Sequence, residues 1–177
     1  MVLYLTNEQA EGMIRHAQRE YPNEACGLLA GEACSELVPS RVEGRNRRES
    51  RKGGRVEKVY PMTNADHSPV TYRLDPEEQY RAFMEIEEEG WELLGIYHSH
   101  GHSPAYPSAT DLELAFYPDS LYLIISLADR ARPILRAFRI VEGTVEEERV
   151  EITLSSPCEG LGAICNLGQG GSRSEEA

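Results

Sequence analysis

The order of helix-forming and strand-forming segments in this chain of 177 residues predicts an α/β fold of the mixed α+β kind, with a mixed central sheet and helices packed on it. Two segments carry apolar residues at helical spacing, and each begins at a capping residue. Short runs rich in strand formers lie between and after these segments. No internal repeat is visible, and the length is that of one domain, so we expect a single sheet to organise the chain.

Two helices are predicted in the first half of the chain. Thr6 caps the first helix, and Gln9 stands in the reciprocal position of a capping box. The inward stripe of this helix is predicted to comprise Ala10, Met13, Ile14, Ala17 and Tyr21. Asp75 caps the second helix, which has Pro76 at its first position and ends at Gly90. Its inward residues are predicted to be Tyr80, Phe83 and Met84.

Seven runs are predicted to be strands because they combine strand-forming residues with flanking turn residues. They cover residues 26–30, 38–43, 56–62, 91–97, 121–127, 134–141 and 145–154. The run 121–127 is apolar on both faces, so it should lie centrally in the sheet. The last two runs alternate more clearly and predict an antiparallel pair that turns at Glu142-Gly143.

The formal net charge of −12 disfavours nucleic-acid binding, because phosphate contacts require a basic face. One segment, residues 41–55, runs against this trend and is predicted to be a mobile loop between two strands. Its basic residues are Arg45, Arg47, Arg48, Arg51, Lys52 and Arg55. Two interpretations of this segment stay open: a solvated excursion without a role, or a surface that steers an acidic protein partner.

The sequence predicts a cytoplasmic protein without a membrane anchor. No apolar stretch approaches the length of a membrane span, and residues 1–5 lack the basic and long apolar parts of a signal peptide. Cys26, Cys34, Cys158 and Cys165 form no close pair of the metal-finger or redox type, so reduced thiols are expected. Cys26 is predicted to be a small core residue, and a disulfide between Cys158 and Cys165 is a less favoured alternative.

The composition changes after Ser155, and residues 155–177 are predicted to be a flexible tail rich in glycine and serine. The folded domain is therefore predicted to cover residues 1–154. The tail contains Gly170-Gly171, the dipeptide that ends ubiquitin-like proteins. Whether the tail binds in the chain's own cleft as a pseudo-substrate, or is a glycine-rich end without a role, stays open.

The most informative segment is His98-Ser99-His100, followed by Ser108 and Asp111. Both histidines extend a predicted strand, and side chains two apart on a strand point to the same face. A loop with two prolines follows, and a helix is then predicted to start at Ser108, with Leu112, Ala115 and Phe116 facing inward. Asp111 lies in the first turn of that helix. Two imidazole nitrogens and one carboxylate oxygen would give zinc three ligands and leave a fourth position open, which is the catalytic pattern.

A second interpretation needs no metal. Ser108 and Asp111 also have the spacing of a plain capping box at a helix N-terminus. The capping box explains neither of the two same-face histidines, so the spacing favours the metal site.

The same residues resemble the motif of the JAMM (MPN-plus) metalloproteases, which is a glutamate, then His-Ser/Thr-His, seven residues, Ser, two residues and Asp. Positions 98–111 match this pattern without gaps. Residues 21–31, which include Glu24, resemble the glutamate segment of the family, and the likeness continues through residues 72–79 to about residue 154. It is strongest with the compact prokaryotic members. The resemblance implies a single MPN/JAB-like domain.

The resemblance also implies the roles of five residues. His98, His100 and Asp111 would bind one zinc ion per chain, Glu24 would activate the zinc-bound water, and Ser108 would stabilise the oxyanion. The reaction would be hydrolysis of the peptide or isopeptide bond after the C-terminal Gly-Gly of a ubiquitin-like or sulfur-carrier protein. The substrate-binding residues, the oligomeric state and the identity of the carrier are not predicted.

The sequence departs from the family motif at one place, and two alternative functions have to be weighed. The family usually has proline after the second histidine, whereas Gly101 and His102 follow here; His102 is either a loop residue without a role or an additional ligand or proton shuttle. A non-catalytic scaffold of the same fold would lose ligands, yet each ligand position is filled. A zinc deaminase would need a Pro-Cys-x-x-Cys segment, which the sequence lacks.

Overall fold

The seven strands of the sheet join in the order β1-β3-β2-β4-β5-β6-β7, and β1 also pairs with β7, so the sheet closes on itself. The computed structural model describes residues 2–42 and 45–154, and within residues 34–53 it describes the backbone. The elements are β1 (Val2–Thr6), α1 (Asn7–Glu20), β2 (Cys26–Val42), β3 (Arg45–Met62), α2 (Pro76–Glu88), β4 (Glu92–His100), α3 (Ala109–Glu113), β5 (Leu121–Ser126), β6 (Ile134–Val141) and β7 (Thr144–Thr153).

The mixed sheet with helices is confirmed. β1 runs parallel to β3 and β7, β4 runs parallel to β5, and the other neighbouring pairs are antiparallel. The predicted pairing of β6 with β7 and the buried position of β5 are also confirmed. β1 was not predicted. Its buried residues Leu3 and Leu5 alternate with partly exposed ones, but five residues at a chain end give a weak pattern.

β2 and β3 form one long antiparallel hairpin, paired from Cys26↔Met62 to Val42↔Arg45. The prediction of a mobile loop over residues 41–55 is therefore wrong for the described residues of that range, and the predicted strand 26–30 and residues 38–42 of the next predicted strand belong to one strand, β2. A hairpin satisfies the backbone hydrogen bonds of its strands even where no face is buried, so a polar composition conceals it from a periodicity argument. Residues 43 and 44 lie outside the described residues.

The first helix agrees with its prediction. The backbone N–H of Gln9 donates to Thr6 Oγ1 at 3.1 Å, and the N–H of Thr6 donates to Gln9 Oε1 at 2.8 Å, which is the predicted capping box. The buried face comprises Ala10, Met13, His16 and Ala17. Ile14 and Tyr21, the other two residues predicted to face inward, are partly buried against the core, and Tyr21 follows the last helical residue. The burial of His16 was not predicted.

The second helix has the predicted cap but turns a different face to the sheet. Asp75 accepts hydrogen bonds from the first turn, and Pro76 is the first helical residue. The buried residues are Ala82 and Ile86, whereas Tyr80 is 65% exposed and Met84 is 41% exposed. The predicted inward positions of Tyr80 and Met84 are wrong. Small Ala82 and its neighbour one turn on, Ile86, form a stripe that lets the helix approach the sheet, and the larger residues flank that stripe.

The third helix starts at the predicted place but is short. It ends at Glu113, so Ala115 and Phe116 lie beyond it. Phe116 is 72% exposed, and its predicted inward position is wrong. Leu112 and Ala115 pack against the core, as predicted. A helix of 5 residues is too short to continue that stripe to Phe116.

Two core clusters lie on the two faces of the central strands. Tyr97 and Leu123 belong to one cluster, and their neighbours Ile96 and Ile124 belong to the other. β4 and β5 are thus buried on both faces, which fixes the position of the residues at their C-terminal ends. Cys26 is a buried core residue, as predicted.

Some of the predictions concern residues that the structure does not describe. The predicted tail 155–177, with Gly170-Gly171, Cys158 and Cys165, lies outside the described residues, and the side chain of Cys34 is not described either. Within the described ranges, 2–42 and 45–154, none of the helices combines the length and the apolar character that crossing a bilayer requires.

Candidate metal centre

The two motif histidines lie at the C-terminal end of β4. That end is paired on both sides, with β2 through Cys26↔His98 and with β5 through His98↔Ile124. Strand alternation places both rings on one face, as predicted, with centroids 4.9 Å apart. His98 is fully buried and His100 is 5% exposed. Backbone pairing thus brings two imidazoles together in a site with little access for solvent.

Asp111 faces both histidines from the first turn of α3. Its Oδ1 lies 3.2 Å from His98 Nε2, and its Oδ2 lies 3.4 Å from His100 Nε2. The carboxylate is fixed by a capping box, in which the Ser108 N–H donates to Asp111 Oδ2 at 2.6 Å and the Asp111 N–H donates to Ser108 Oγ at 3.2 Å. The two interpretations of this pair are therefore compatible, because the capping box orients the carboxylate toward the imidazoles.

The three donor groups fit a tetrahedral metal ion. The two Nε2 atoms are 3.1 Å apart, and the carboxylate oxygens are 3.2 and 3.4 Å from their nearest imidazole nitrogens. Zinc bonds of about 2.0–2.1 Å in tetrahedral geometry place neighbouring ligand atoms about 3.3 Å apart. His98, His100 and Asp111 are also the group of potential ligands that stands out among the described residues. The predicted ligands thus converge on one point.

The surroundings set the protonation of these ligands. His100 Nδ1 donates to the carbonyl of Pro104 at 3.0 Å, and its Nε2 faces Asp111. Burial acts to lower the pKa of His100, but the hydrogen bonds to Asp111 and to the Pro104 carbonyl outweigh it and raise this pKa. Burial lowers the pKa of His98 and favours its neutral form. Burial acts to raise the pKa of Asp111, but the hydrogen bonds from His100 and His98 outweigh it and hold the carboxyl well below its ordinary range. Metal binding requires an ionised carboxylate and imidazoles without a proton on Nε2, so a metal ion would take the place of the protons that His98 and His100 share with Asp111.

Tyr72 covers the other side of the first histidine. Its ring stacks on the His98 ring, with centroids 4.5 Å apart and an interplanar angle of 17°. His98 Nδ1 is buried and has no hydrogen-bond partner in the described part of the chain. The position of this imidazole is therefore set by its strand and by the stacked tyrosine.

Glu24 lies just before β2 and is 5% exposed. Burial raises the pKa of Glu24 to about 7; the charge of His100 works against this rise, and the charge of Asp111 adds to it. Its backbone is joined to β4 through its neighbour Ala25, whose N–H donates to Ser99 Oγ at 2.8 Å and whose carbonyl accepts from the Ser99 N–H at 2.9 Å. Glu24 is thus a buried carboxyl within electrostatic reach of His100 and Asp111.

The positions of Ser108 and His102 bear differently on the roles predicted for them. Ser108 is exposed, and its Oγ accepts the capping hydrogen bond, so its O–H remains available as a donor. His102 is exposed, and its ring packs edge-on against Tyr21, with Nε2 3.4 Å from the tyrosine hydroxyl. It is not in the cluster with His98 and His100. The geometry therefore favours a loop role for His102.

Sequence reasoning missed Ser99, Asn64, Tyr72 and Pro104 as parts of the site. Ser99 could have been found, because a hydroxyl on a strand buried on both faces must have a hydrogen-bond partner. Asn64 follows a strand in a polar segment and carries no comparable signal. The residues that sequence reasoning did not identify are those that hold the site in place, whereas the residues proposed to react were identified.

A groove with a volume of about 290 Å³ is lined by Tyr72, the residue that stacks on His98. This groove is here called the Tyr72 groove. Its apolar wall is formed by Tyr72, Leu74, Ile96, Leu114, Phe116 and Tyr122. Phe116 is 72% exposed at the rim. An exposed aromatic residue in a groove with a mostly apolar wall is typical of a surface that contacts a ligand.

A family model, two curated relatives and a solved structure all match most of this chain. The sequence model of prokaryotic homologs of the JAB domain matches residues 6–141. The CysO-cysteine peptidase of Mycobacterium tuberculosis is 40% identical over 151 residues, which cover 85% of this chain and 91% of that protein. The desampylase of Haloferax volcanii is 33% identical over 129 residues, 70% of this chain and 80% of its own. The solution structure of a protein from Desulfitobacterium hafniense matches with a TM-score of 0.71 and 38% identity, over 90% of this chain and 97% of that one.

Proposed function

This chain belongs to the family of prokaryotic homologs of the JAB domain, and we propose that it is a zinc-dependent peptidase that hydrolyses the bond after the C-terminal Gly-Gly of a ubiquitin-like or sulfur-carrier protein. The observation that carries the proposal is the convergence of His98, His100 and Asp111 within 3.1–3.4 Å of one another, beside a buried Glu24. A catalytic zinc site needs this combination of three ligands and a nearby proton acceptor.

The relatives support the class of substrate. One relative is named CysO-cysteine peptidase and another is named desampylase. The match to the CysO-cysteine peptidase covers 91% of that protein. We extend that class to this chain because the matched region contains every residue of the site. The cytoplasm is the compartment that we propose for the reaction, in line with the sequence prediction.

The proposed chemistry assigns one task to each residue. Bound by His98, His100 and Asp111, zinc would bring the pKa of a water molecule near neutrality and polarise the scissile carbonyl. Glu24 accepts the proton of the attacking water and delivers it to the departing amine, so that the C–N bond breaks as the new C–O bond is completed. A carboxyl whose pKa is raised to about 7 can hold and release this proton near neutral pH.

Ser108 acts on the other side of the reacting carbonyl. Its O–H, which the capping interaction leaves available, donates to the substrate oxygen as that oxygen gains negative charge. The Tyr72 groove receives the extended tail of the carrier and directs it toward His98, on which Tyr72 stacks. Glycine is suited to the last positions of such a tail, because any side chain would strike the walls of a narrow cleft.

The test uses the zinc-loaded protein with two substrates, CysO joined to cysteine and a ubiquitin-like carrier extended past its Gly-Gly by a short peptide. Mass spectrometry of the products should show a carrier that ends in Gly-Gly, and replacement of these glycines by alanine should prevent cleavage. Removal of zinc by a chelator should stop the reaction, and zinc should restore it. Failure to cleave either carrier would refute the proposal.

The rivals can be separated by the same preparation. A zinc deaminase is not supported, because the family match covers most of the chain and is to JAB-domain proteins. A non-catalytic scaffold predicts a protein purified without zinc, whereas the proposal predicts about one zinc per chain in a metal analysis.

A further inference from the structure

The side chain of Asn64 joins separate segments around the metal centre. Asn64 is 7% exposed, and its Nδ2 donates to the carbonyl of Glu24 at 3.0 Å and to the carbonyl of Thr71 at 3.0 Å. A third carbonyl, that of Ser68, lies 3.5 Å away. The donor end of this amide thus holds the backbone of Glu24 against the segment that follows β3.

The acceptor end of the same amide closes a loop. Asn64 Oδ1 accepts from the N–H of Asp66 at 3.0 Å and from the N–H of Arg73 at 3.2 Å. The backbone adds a bond from the N–H of Ala65 to the carbonyl of Arg73 at 2.8 Å. Residues 64–73, here called the Asn64 loop, are therefore wrapped around one side chain.

The chemistry of the neighbours requires an amide at this position. Three carbonyl groups face one end of the side chain and two N–H groups face the other, so a reversed amide would set like groups against each other. An aspartate would keep the acceptor but present oxygen to carbonyls. An alanine would leave buried backbone groups without partners, which is costly in a site closed to water.

The Asn64 loop meets both sides of the metal centre. Tyr72, which stacks on His98, lies between Thr71 and Arg73, the two loop residues that Asn64 binds. Glu24 is held at the other end, where its own N–H also donates to the carbonyl of Ser68 at 2.9 Å. One side chain thus fixes Glu24 and the ring against His98 relative to each other.

We propose that Asn64 is a positioning residue for hydrolysis, which keeps Glu24 and Tyr72 in place around the metal centre. The proposal rests on the proposed function insofar as Glu24 is the proton acceptor there. Asn64 acts through these two residues and does not itself contact the substrate. A displacement of about 1 Å in a reacting group can reduce a rate about 100-fold, so such a residue should affect kcat rather than substrate binding.

The experiment compares Asn64→Ala and Asn64→Asp with a control in the same loop, Ser68→Ala. Ser68 Oγ accepts only a local hydrogen bond from the N–H of Val70 at 3.2 Å, and the control leaves the Ser68 carbonyl in place. With the two carrier substrates, both Asn64 variants should lose about 10- to 100-fold in kcat, with KM and zinc affinity within about threefold of the wild type. The control should retain wild-type kcat.

A second measurement does not depend on activity. In the metal-free protein, amide exchange followed by NMR should accelerate at Glu24, Asp66 and Arg73 in Asn64→Ala. In Asn64→Asp it should accelerate at Glu24 alone, because the acceptor for the other two N–H groups is kept. In the control it should accelerate at Val70 alone.

These outcomes separate positioning from general stability. An unchanged kcat, or unchanged exchange at Glu24, would overturn the proposal. So would a loss of activity that merely follows a loss of zinc affinity or of folded protein, since that is what a structural residue would produce. If the wild type cleaves neither carrier, the proposed function fails and the catalytic role of Asn64 fails with it, while the exchange data still decide whether Asn64 holds the two segments.

Discussion

The two halves of the site are held in different ways. His98 and His100 are placed by backbone pairing, since β4 is hydrogen-bonded to β2 on one side and to β5 on the other. Glu24 lies outside the regular elements and is held by hydrogen bonds with two side chains: the N–H of the next residue, Ala25, donates to Ser99 Oγ, and Asn64 Nδ2 donates to the Glu24 carbonyl. The strand half, His98 and His100, should therefore keep its geometry when single hydrogen bonds are lost, and it should decide whether a metal ion binds. The glutamate half, Glu24 and the residues that hold it, should decide whether the bound metal ion supports hydrolysis.

The largest effect is expected in the strand half. His98→Ala removes one of three ligands from a fully buried position, so zinc should no longer bind stoichiometrically and cleavage should fall more than about 1000-fold. His102→Ala is the matched control, because that histidine lies against Tyr21 and should leave both properties within about twofold. Metal analysis and product mass spectrometry check both variants. Normal zinc content in His98→Ala would show that the three donors do not form the site.

The next effect tests the glutamate half. Glu24→Gln keeps the size of the side chain and removes the proton acceptor, so kcat should fall about 100- to 10,000-fold while zinc remains bound. Glu20→Gln at the end of α1 changes charge nearby and should leave kcat unchanged. Steady-state kinetics on zinc-loaded protein provide the measurement. Equal cleavage by the wild type and Glu24→Gln would assign the proton transfer to another group.

A smaller effect is expected at Ser108, which caps α3 and orients the carboxylate of Asp111. Ser108→Ala removes both a helix cap and the proposed donor to the substrate oxygen, and kcat should fall about 100-fold. Thr6→Ala is the matched control, because it removes the hydroxyl of the other capping box, far from the metal centre in sequence. It should cost about 1 kcal/mol in the free energy of unfolding and leave kcat unchanged. If both variants lose only stability, Ser108 is a cap and no more.

The same contrast explains what the sequence could predict. The positions of His98, His100, Ser108 and Asp111 follow from strand alternation and from a helix cap, which are local rules that depend on spacing. Asn64 and Ser99 act on residues 40 and 74 positions away, and no local rule connects residues so far apart. Sequence reasoning therefore found the groups that would bind metal, and found Glu24 only through the family resemblance.

The errors in the fold have the same origin. The face of α2 depends on which row of side chains fits the sheet, and Ala82 with Ile86 was preferred over Tyr80 with Met84. The β2–β3 hairpin depends on pairing between strands, which a polar sequence does not reveal. Tertiary fit decided both outcomes, whereas the caps at Thr6, Asp75 and Ser108 were predictable because the hydrogen bonds lie within four residues.

The smallest expected effect concerns the stability of the metal-free protein. The pKa of Glu24 is raised from its ordinary 4.5 to about 7, so the folded state favours the protonated carboxyl and resists its ionisation. As pH rises through this window, the unfolded state loses the proton first, and the free energy of unfolding falls by up to about 3 kcal/mol. Glu24→Gln cannot ionise and escapes this loss. The difference in unfolding free energy between variant and wild type, measured with denaturant and a chelator, should therefore grow in favour of the variant from pH 4.5 to 7 and then stay constant. Ionisable groups that do not interact with Glu24 cancel in this difference, whereas His100 and Asp111 interact with its charge. A difference that is independent of pH from 4.5 to 7 would show that burial does not disfavour the ionised form of Glu24.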